Sequence, residues 1–139
     1  MIRVVAVGKL KARYYREAVA EYERRIRRFA RVQLLEVPDR EPQSEGQSLL
    51  AAARGEPLVA LDVRGEAWDT PAFARFLSHN ASPCFLVGGP DGLSQELLRG
   101  VARRLSLSPL TLPHELARLV LTEQIYRALT ILKGHPYHR

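Results

Sequence analysis

The sequence predicts an α/β domain, with a mainly parallel sheet and helices on both faces, as one domain over residues 1–139. Three observations lead there. Short apolar runs alternate with segments of helical period at nearly every step. The runs "PLVALDV" and "PCFLVGG" are apolar without alternation, as strands covered on both faces are. Apolar residues make up 46% and charged residues 26%, the balance of a globular chain long enough for its own core.

Each element has its own signal. "IRVVAVG" is the first strand. Tyr15, Ala18, Val19, Tyr22, Ile26 and Phe29 then recur on one face of a 3.6-residue period, which predicts a helix with its arginines largely on the other face. "VQLLEV" is the second strand. Residues 38–48, "PDREPQSEGQS", are polar and carry proline, and predict a loop running into a short helix around "SLLAAAR". "PLVALDV" is the third strand. "WDTPAFARFLSHN" predicts a helix with Asp69 or Thr70 as N-cap and Pro71 in its first turn. "PCFLVGG" is the fourth strand, and Ser94 caps a helix through about Arg104. After "LSLSPLTL" a last helix runs from about Pro113 to Lys133. It is apolar nearly all round, which predicts burial on more than one side, one of them a subunit interface. Gly134 stops it and Pro136 prevents its continuation, so the last five residues, "HPYHR", are expected to leave in an extended form.

Charge narrows the partners. The net charge is +6, and residues 1–31 hold ten Lys or Arg against three Glu. Such a face suits a polyanion, nucleic acid first, or else is a solubilising helix surface. No apolar run approaches the ~18 residues of a membrane span, and the first ten residues are too short an apolar stretch for a secretory signal. The single cysteine, Cys84, allows no internal disulfide and sits in an apolar run, so a buried thiol in a reducing cytoplasm is expected.

In open parallel sheets ligands bind beyond the carboxyl ends of the strands. "LDVRG", "GGPDG" and "LSLSPLTLPH" fall there. Gly88, Gly89 and Gly92 permit close approach of backbone to a ligand. Their spacing is neither the dinucleotide fingerprint nor a P-loop, so the stretch is either a ligand turn or a tight strand-to-helix turn. In "LSLSPLTLPH", Pro109 disfavours helix, and a helix beginning at Pro113 leaves Leu112 as a poor cap. Either the loop's leucines and free backbone groups hold an adenine, or the segment is a buried β-bridge. His79, His114, His135 and His138 lack metal-binding spacing, so no metal is expected. "GPDGLS" is not a nucleophile elbow.

Taken in order, "VAVGKLK", "EVPD", "LDVRGEAWDTP", "VGGPDGL", "LSLSPLTLPHELARLVLTEQIYRA" and the terminal "HPYHR" resemble the RlmH family, the pseudouridine N3-methyltransferases of large-subunit (23S) ribosomal RNA in the SPOUT class. The resemblance covers essentially the whole chain. It implies a C-terminal trefoil knot that binds S-adenosylmethionine, against the general expectation of unknotted chains. Carried over by motif, the cofactor contacts are Leu61, Gly88, Leu107, Ser108, Pro109, Leu110, Thr111 and Leu112. It also implies a homodimer with a shared active site, completed by the partner's C-terminal peptide, and an assembled ribosome as substrate. Two departures stand out: Asp91, where many relatives carry Glu, and a short segment between Asp39 and Pro57.

On this reading the N3 proton must leave, and His138 is the first candidate to accept it, with His114 second. Tyr137 stacks on or orients the base. Arg139, with Arg118 or Arg127, holds phosphate. The competing readings are a SPOUT-type methyltransferase for a different RNA and a ribosome-binding factor without catalysis.

Overall fold

The periodicities place ten elements in strict alternation in the computed structural model, which describes residues 1–139. They are β1 (Ile2–Val7), α1 (Arg13–Ile26), β2 (Val32–Val37), α2 (Pro42–Ala52), β3 (Leu58–Ala67), α3 (Thr70–His79), β4 (Cys84–Val87), α4 (Gln95–Gly100), β5 (Arg103–Ser106) and α5 (His114–Leu132). All paired strands are parallel, in the order β2-β1-β4-β3-β5.

The two-residue period of a strand divides the core between the two faces of the sheet. Phe85 and Val87 of β4 point to the side covered by α1, α3 and α5, where Ile26, Phe73, Phe76, Leu121, Ile125 and Leu129 meet Val4 and Val59. Cys84 and Leu86 point to the other side, where Leu49 of α2 and Leu97 and Leu98 of α4 pack on Val5 and Ala60. Burial pushes the Cys84 thiol up, as expected of a structural cysteine. The local caps are those the sequence offers. Asp69 accepts the Ala72 N–H at 2.8 Å, which settles the choice between Asp69 and Thr70. Ser94 accepts the Leu97 N–H at 3.2 Å.

Four expectations are corrected. The stretch read as a loop is already helical from Pro42, whose fixed φ suits a first turn. The buried Glu45 carboxylate accepts the Arg40 N–H at 2.7 Å ahead of it, and Gly46 lies tightly against Ser94 of the α4 cap. These are tertiary contacts, which a polar sequence does not display. The helix after Ser94 ends at Gly100 rather than near Arg104, and Arg103–Ser106 is a strand. At the start of α5, Pro113 itself is the N-cap, outside the helix. Beyond α5 the chain does not run out extended: Gly134 (φ 68) turns it, and the His135 N–H reaches back to the Thr130 carbonyl at 2.9 Å.

The join between β3 and β5 is irregular. Leu105 stands opposite both Leu61 and Glu66, so Asp62–Gly65 bulge out of register around it. The backbones approach so closely that a Cβ on Gly65 would lie 2.6 Å from the Arg104 carbonyl group.

Helix α5 is held by packing and by one ion pair. Arg118, buried to 6% exposure, meets Glu36 of β2 at 2.6 Å and donates to the carbonyls of Gly8 at 2.8 Å and Val7 at 3.3 Å. Both terminal nitrogens of its guanidinium are spent within the fold and its Nε is buried without a partner, so the phosphate-holding role expected of Arg118 is corrected.

Three substitutions test these contacts. Gly65→Ala should cost at least about 2 kcal/mol in urea unfolding, because backbone rather than a flexible side chain must yield. Gly100→Ala, with nothing within 4 Å of the added carbon, should be close to neutral in the same experiment. Arg118→Met should cost about 2–3 kcal/mol, by stranding the Val7 and Gly8 carbonyls.

Candidate cofactor cavity and C-terminal cluster

The three stretches expected at the strand ends do meet. Leu61, Gly88, Leu107, Ser108, Leu110, Thr111 and Leu112 line one cavity of about 160 Å³. Pro109 does not; it is exposed beside the wall. His114, the first residue of α5, lines the cavity too. Gly89 and Gly92 of the glycine stretch line it as well, and Asp62, Val63, Val87, Leu93, Leu105 and Ala117, which the sequence did not single out, complete it. Most are chain neighbours of motif residues, which was the available signal.

The glycine stretch is a tight turn that also lines the cavity. The Gly92 N–H donates to the Gly89 carbonyl at 3.0 Å, and Gly92 sits at φ 74, so "GGPDG" is a tight turn. A Cβ on Gly88 would stand 2.8 Å from the Gly92 carbonyl carbon. Only glycine lets the turn close and leaves bare backbone at the cavity wall. Beneath it lies the Glu45 carboxyl, pushed up by burial, with Asp39 and Asp91 adding to the effect. The serines fold the opposite wall onto itself. Ser106 Oγ donates to the Ser108 carbonyl at 3.0 Å, and Ser108 Oγ accepts the Leu110 N–H at 2.9 Å. The start of α5 has no side-chain cap, so its first N–H groups stay available. Leucine walls with backbone donors and acceptors at the edges suit a flat heteroaromatic ring such as a purine. The rim exposes apolar side chains, Leu110 at 74% and Val63 at 54%.

Tyr137, His138 and Arg139 are elsewhere. The Tyr137 ring lies edge-on to Tyr126 at 4.6 Å, with the Arg127 guanidinium 4.7 Å from its centroid. Its hydroxyl donates to Glu123 Oε2 at 2.8 Å and is 3.4 Å from the Tyr22 hydroxyl. Burial and these two partners push the phenol well above its ordinary value. Arg127 closes on Glu123 through Nη2 at 2.9 Å and Nε at 3.1 Å, a bond that raises its own pKa. Arg127 Nη1 stands 3.3 Å from His138 Nδ1. Arg139 is exposed. Arg127 lies 13 residues along α5 from His114, about 20 Å of helix rise. Within one chain, the structure therefore joins His114 to the cavity and holds His138 apart from it.

The basic surface also differs from its sequence reading. On α1, Arg13 pairs with Glu17, Arg24 and Arg25 with Glu21, and Arg27 with Glu23. Much of the positive charge near the N-terminus is thus answered on the helix itself. A second basic group was missed: Arg64, Arg99, Arg103 and Arg104 line a cleft of about 470 Å³ beside β5. The "RR" doublet was its signal, but it was absorbed into a helix. A larger cleft of about 640 Å³ under α1 takes in only Arg118 among the candidate site residues.

Residues 1–138 match the family described as "Predicted SPOUT methyltransferase". Proteins named ribosomal RNA large subunit methyltransferase H are similar over nearly their whole length. That of Alkalilimnicola ehrlichii is 44% identical over 99% of this chain and 98% of its own. That of Anaeromyxobacter dehalogenans is 44% identical over 99% of each, and that of Deinococcus radiodurans 42% over 99% and 98%. A solved structure described as a probable methylase family protein from Haemophilus influenzae Rd KW20 shares the fold, with a TM-score of 0.61 at 14% identity over 99% of this chain and 70% of that one. The glycine turn and the leucine loop that shape the cavity thus lie within a sequence matched almost throughout, and the chain belongs to the SPOUT methyltransferase family, among relatives named ribosomal RNA large subunit methyltransferase H.

Proposed function

We propose that this protein methylates N3 of a pseudouridine in large-subunit (23S) ribosomal RNA, as a cytoplasmic homodimer acting on the assembled ribosome with S-adenosylmethionine as donor. The observation that carries the reading is the convergence of seven motif residues from three distant stretches on one cavity, within a chain of this family.

When bound, S-adenosylmethionine supplies a methyl group already activated on a sulfonium. The chain's own work is therefore positioning, which is worth up to roughly 7–11 kcal/mol. Leu61, Leu107, Leu110 and Leu112 form the apolar walls, and Gly88 offers backbone to the ligand's edge. His114 stands in the cavity wall, and His138 comes on the tail. Arg139 is exposed and carries no ion pair, which suits a phosphate contact. The basic cleft beside β5 extends the surface for a polyanion. A trefoil knot belongs to the same reading. The bulge Asp62–Gly65 around Leu105, with backbones in contact at Gly65, supports a chain that is threaded there.

The dimer follows from incompleteness. About 160 Å³ is small against the roughly 300–1,000 Å³ of small-molecule sites, and its apolar rim lies in solvent. The tail is about 20 Å along α5 from its own cavity. Two copies packed with their α5 helices antiparallel bring each tail to the other's cavity.

Methyl transfer from labelled S-adenosylmethionine tests the function. Ribosomes from cells lacking the enzyme should take up label when they carry the target pseudouridine and none when they carry uridine there. Label in both would move the reading to another RNA position, and label in neither, with the cofactor bound, to a non-catalytic factor. The shared site has its own test. A chain lacking residues 136–139 and a Gly88→Val chain should each be inactive, and mixed dimers should regain transfer through one intact composite site. No recovery on mixing would mean that each cavity uses its own tail.

A further inference from the structure

We infer that Arg127 fixes His138 as the neutral Nε2–H tautomer, so that the C-terminal tail presents a hydrogen-bond donor to the substrate base rather than a proton acceptor. The inference rests on the methyl-transfer reading above and assigns roles within its site.

The argument is one of donors and acceptors. A guanidinium has five N–H donors and no acceptor. Its Nη1 stands 3.3 Å from His138 Nδ1. An Nδ1–H would set two donors against each other, and an imidazolium would add a second positive charge. The contact is made only if Nδ1 offers its lone pair, which puts the ring proton on Nε2. Arg127 is not free to turn away. Glu123 holds its Nε and Nη2, and its guanidinium packs on the Tyr137 ring. Tyr137 in turn donates to the same carboxylate and touches Tyr22 of α1. Around the imidazole stand Arg127 from α5 and the tail's own Tyr137 and Arg139, and no carboxylate is hydrogen-bonded to it. Glu123, the nearest acid in the cluster, is already engaged by Arg127 and Tyr137. Arg127 and Glu123 are therefore positioning residues, acting through His138.

The chemistry assigns the donor a purpose. N3 of a uracil-type ring lies between two carbonyl groups. As the N3–H bond breaks, negative charge spreads onto both oxygens, and a preorganised N–H beside either one stabilises it. The proton passes to the His114 imidazole, which lines the cavity, and from there to water. The N3 electron pair forms the bond to the methyl carbon, and the pair of the broken methyl–sulfur bond stays on sulfur. This reverses the order of the two histidines expected from the sequence.

Nitrogen spectra of the ¹⁵N-histidine-labelled full-length protein read the tautomer directly. The unprotonated, downfield nitrogen of His138 should be the one coupled to Hε1 alone, which is Nδ1. Arg127→Met should release the ring to a mixture, drawing its two nitrogen shifts together, and Arg127→Lys should restore the separation. A protonated Nδ1 in the wild type, or no change in Arg127→Met, overturns the inference. Kinetics test the role. His138→Gln keeps an N–H donor but cannot take up a proton, so it should transfer methyl within about tenfold of wild type, whereas His138→Ala should lose about 10²–10³-fold. Equal losses would make His138 the base and sink the assignment. If the wild type transfers no methyl to any ribosome, the functional reading fails while the nitrogen spectra still decide the tautomer.

Discussion

The position of β5 beside β3 is the constraint on which the cavity depends. Leu105, 1% exposed, lies opposite Leu61 before the bulge and Glu66 after it. That double register anchors a strand of only four residues at the edge of the sheet. From there the chain runs on to α5, and Leu107, Ser108, Leu110, Thr111 and Leu112 line the same cavity as the glycine turn. Glycine at 65 and 88 is required because backbone lies where a Cβ would be. The cavity is thus a consequence of strand pairing, and its leucines are exposed to ligand because the backbone beneath them is held elsewhere.

Helix α5 carries the consequence across the molecule. Its first residue stands in the cavity wall, Arg118 ties its first half to β1 and β2, and its second half carries the cluster that grips the tail. Buried residues on successive turns, Leu121, Ile125, Ala128 and Leu129, make it rigid against the sheet. A rigid helix of 19 residues fixes the distance between cavity and tail.

Charge is organised at the same scale. The basic N-terminal helix answers most of its arginines with glutamates three or four residues away, exposed pairs that add little stability but thin the positive field. The cleft lined by Arg64, Arg99, Arg103 and Arg104 holds two weak pairs, Arg103 with Glu66 at 3.9 Å and Arg104 with Asp62 at 3.8 Å, and keeps more of its charge for a partner.

What the sequence determined is what neighbouring residues decide. The apolar runs of β1, β3 and β4, the period of α1, the caps at Asp69 and Ser94 and the stop at Gly134 act within a few residues of themselves, and each appears where its chemistry predicts. Seven of the eight positions carried over from the family resemblance line one cavity, and the motifs that hold them are contiguous in sequence. Tertiary structure decided the rest. Residues 42–46 are helical because Glu45 is buried and Gly46 meets the α4 cap. "RRLS" is a strand because β3 offers it an edge. Arg118 is structural and Arg127 a constraint on His138 because Glu36 and Glu123 stand where they do. A guanidinium or an imidazole takes its role from the partner within about 3 Å, and that partner is chosen by how the chain closes on itself, not by its neighbours in sequence.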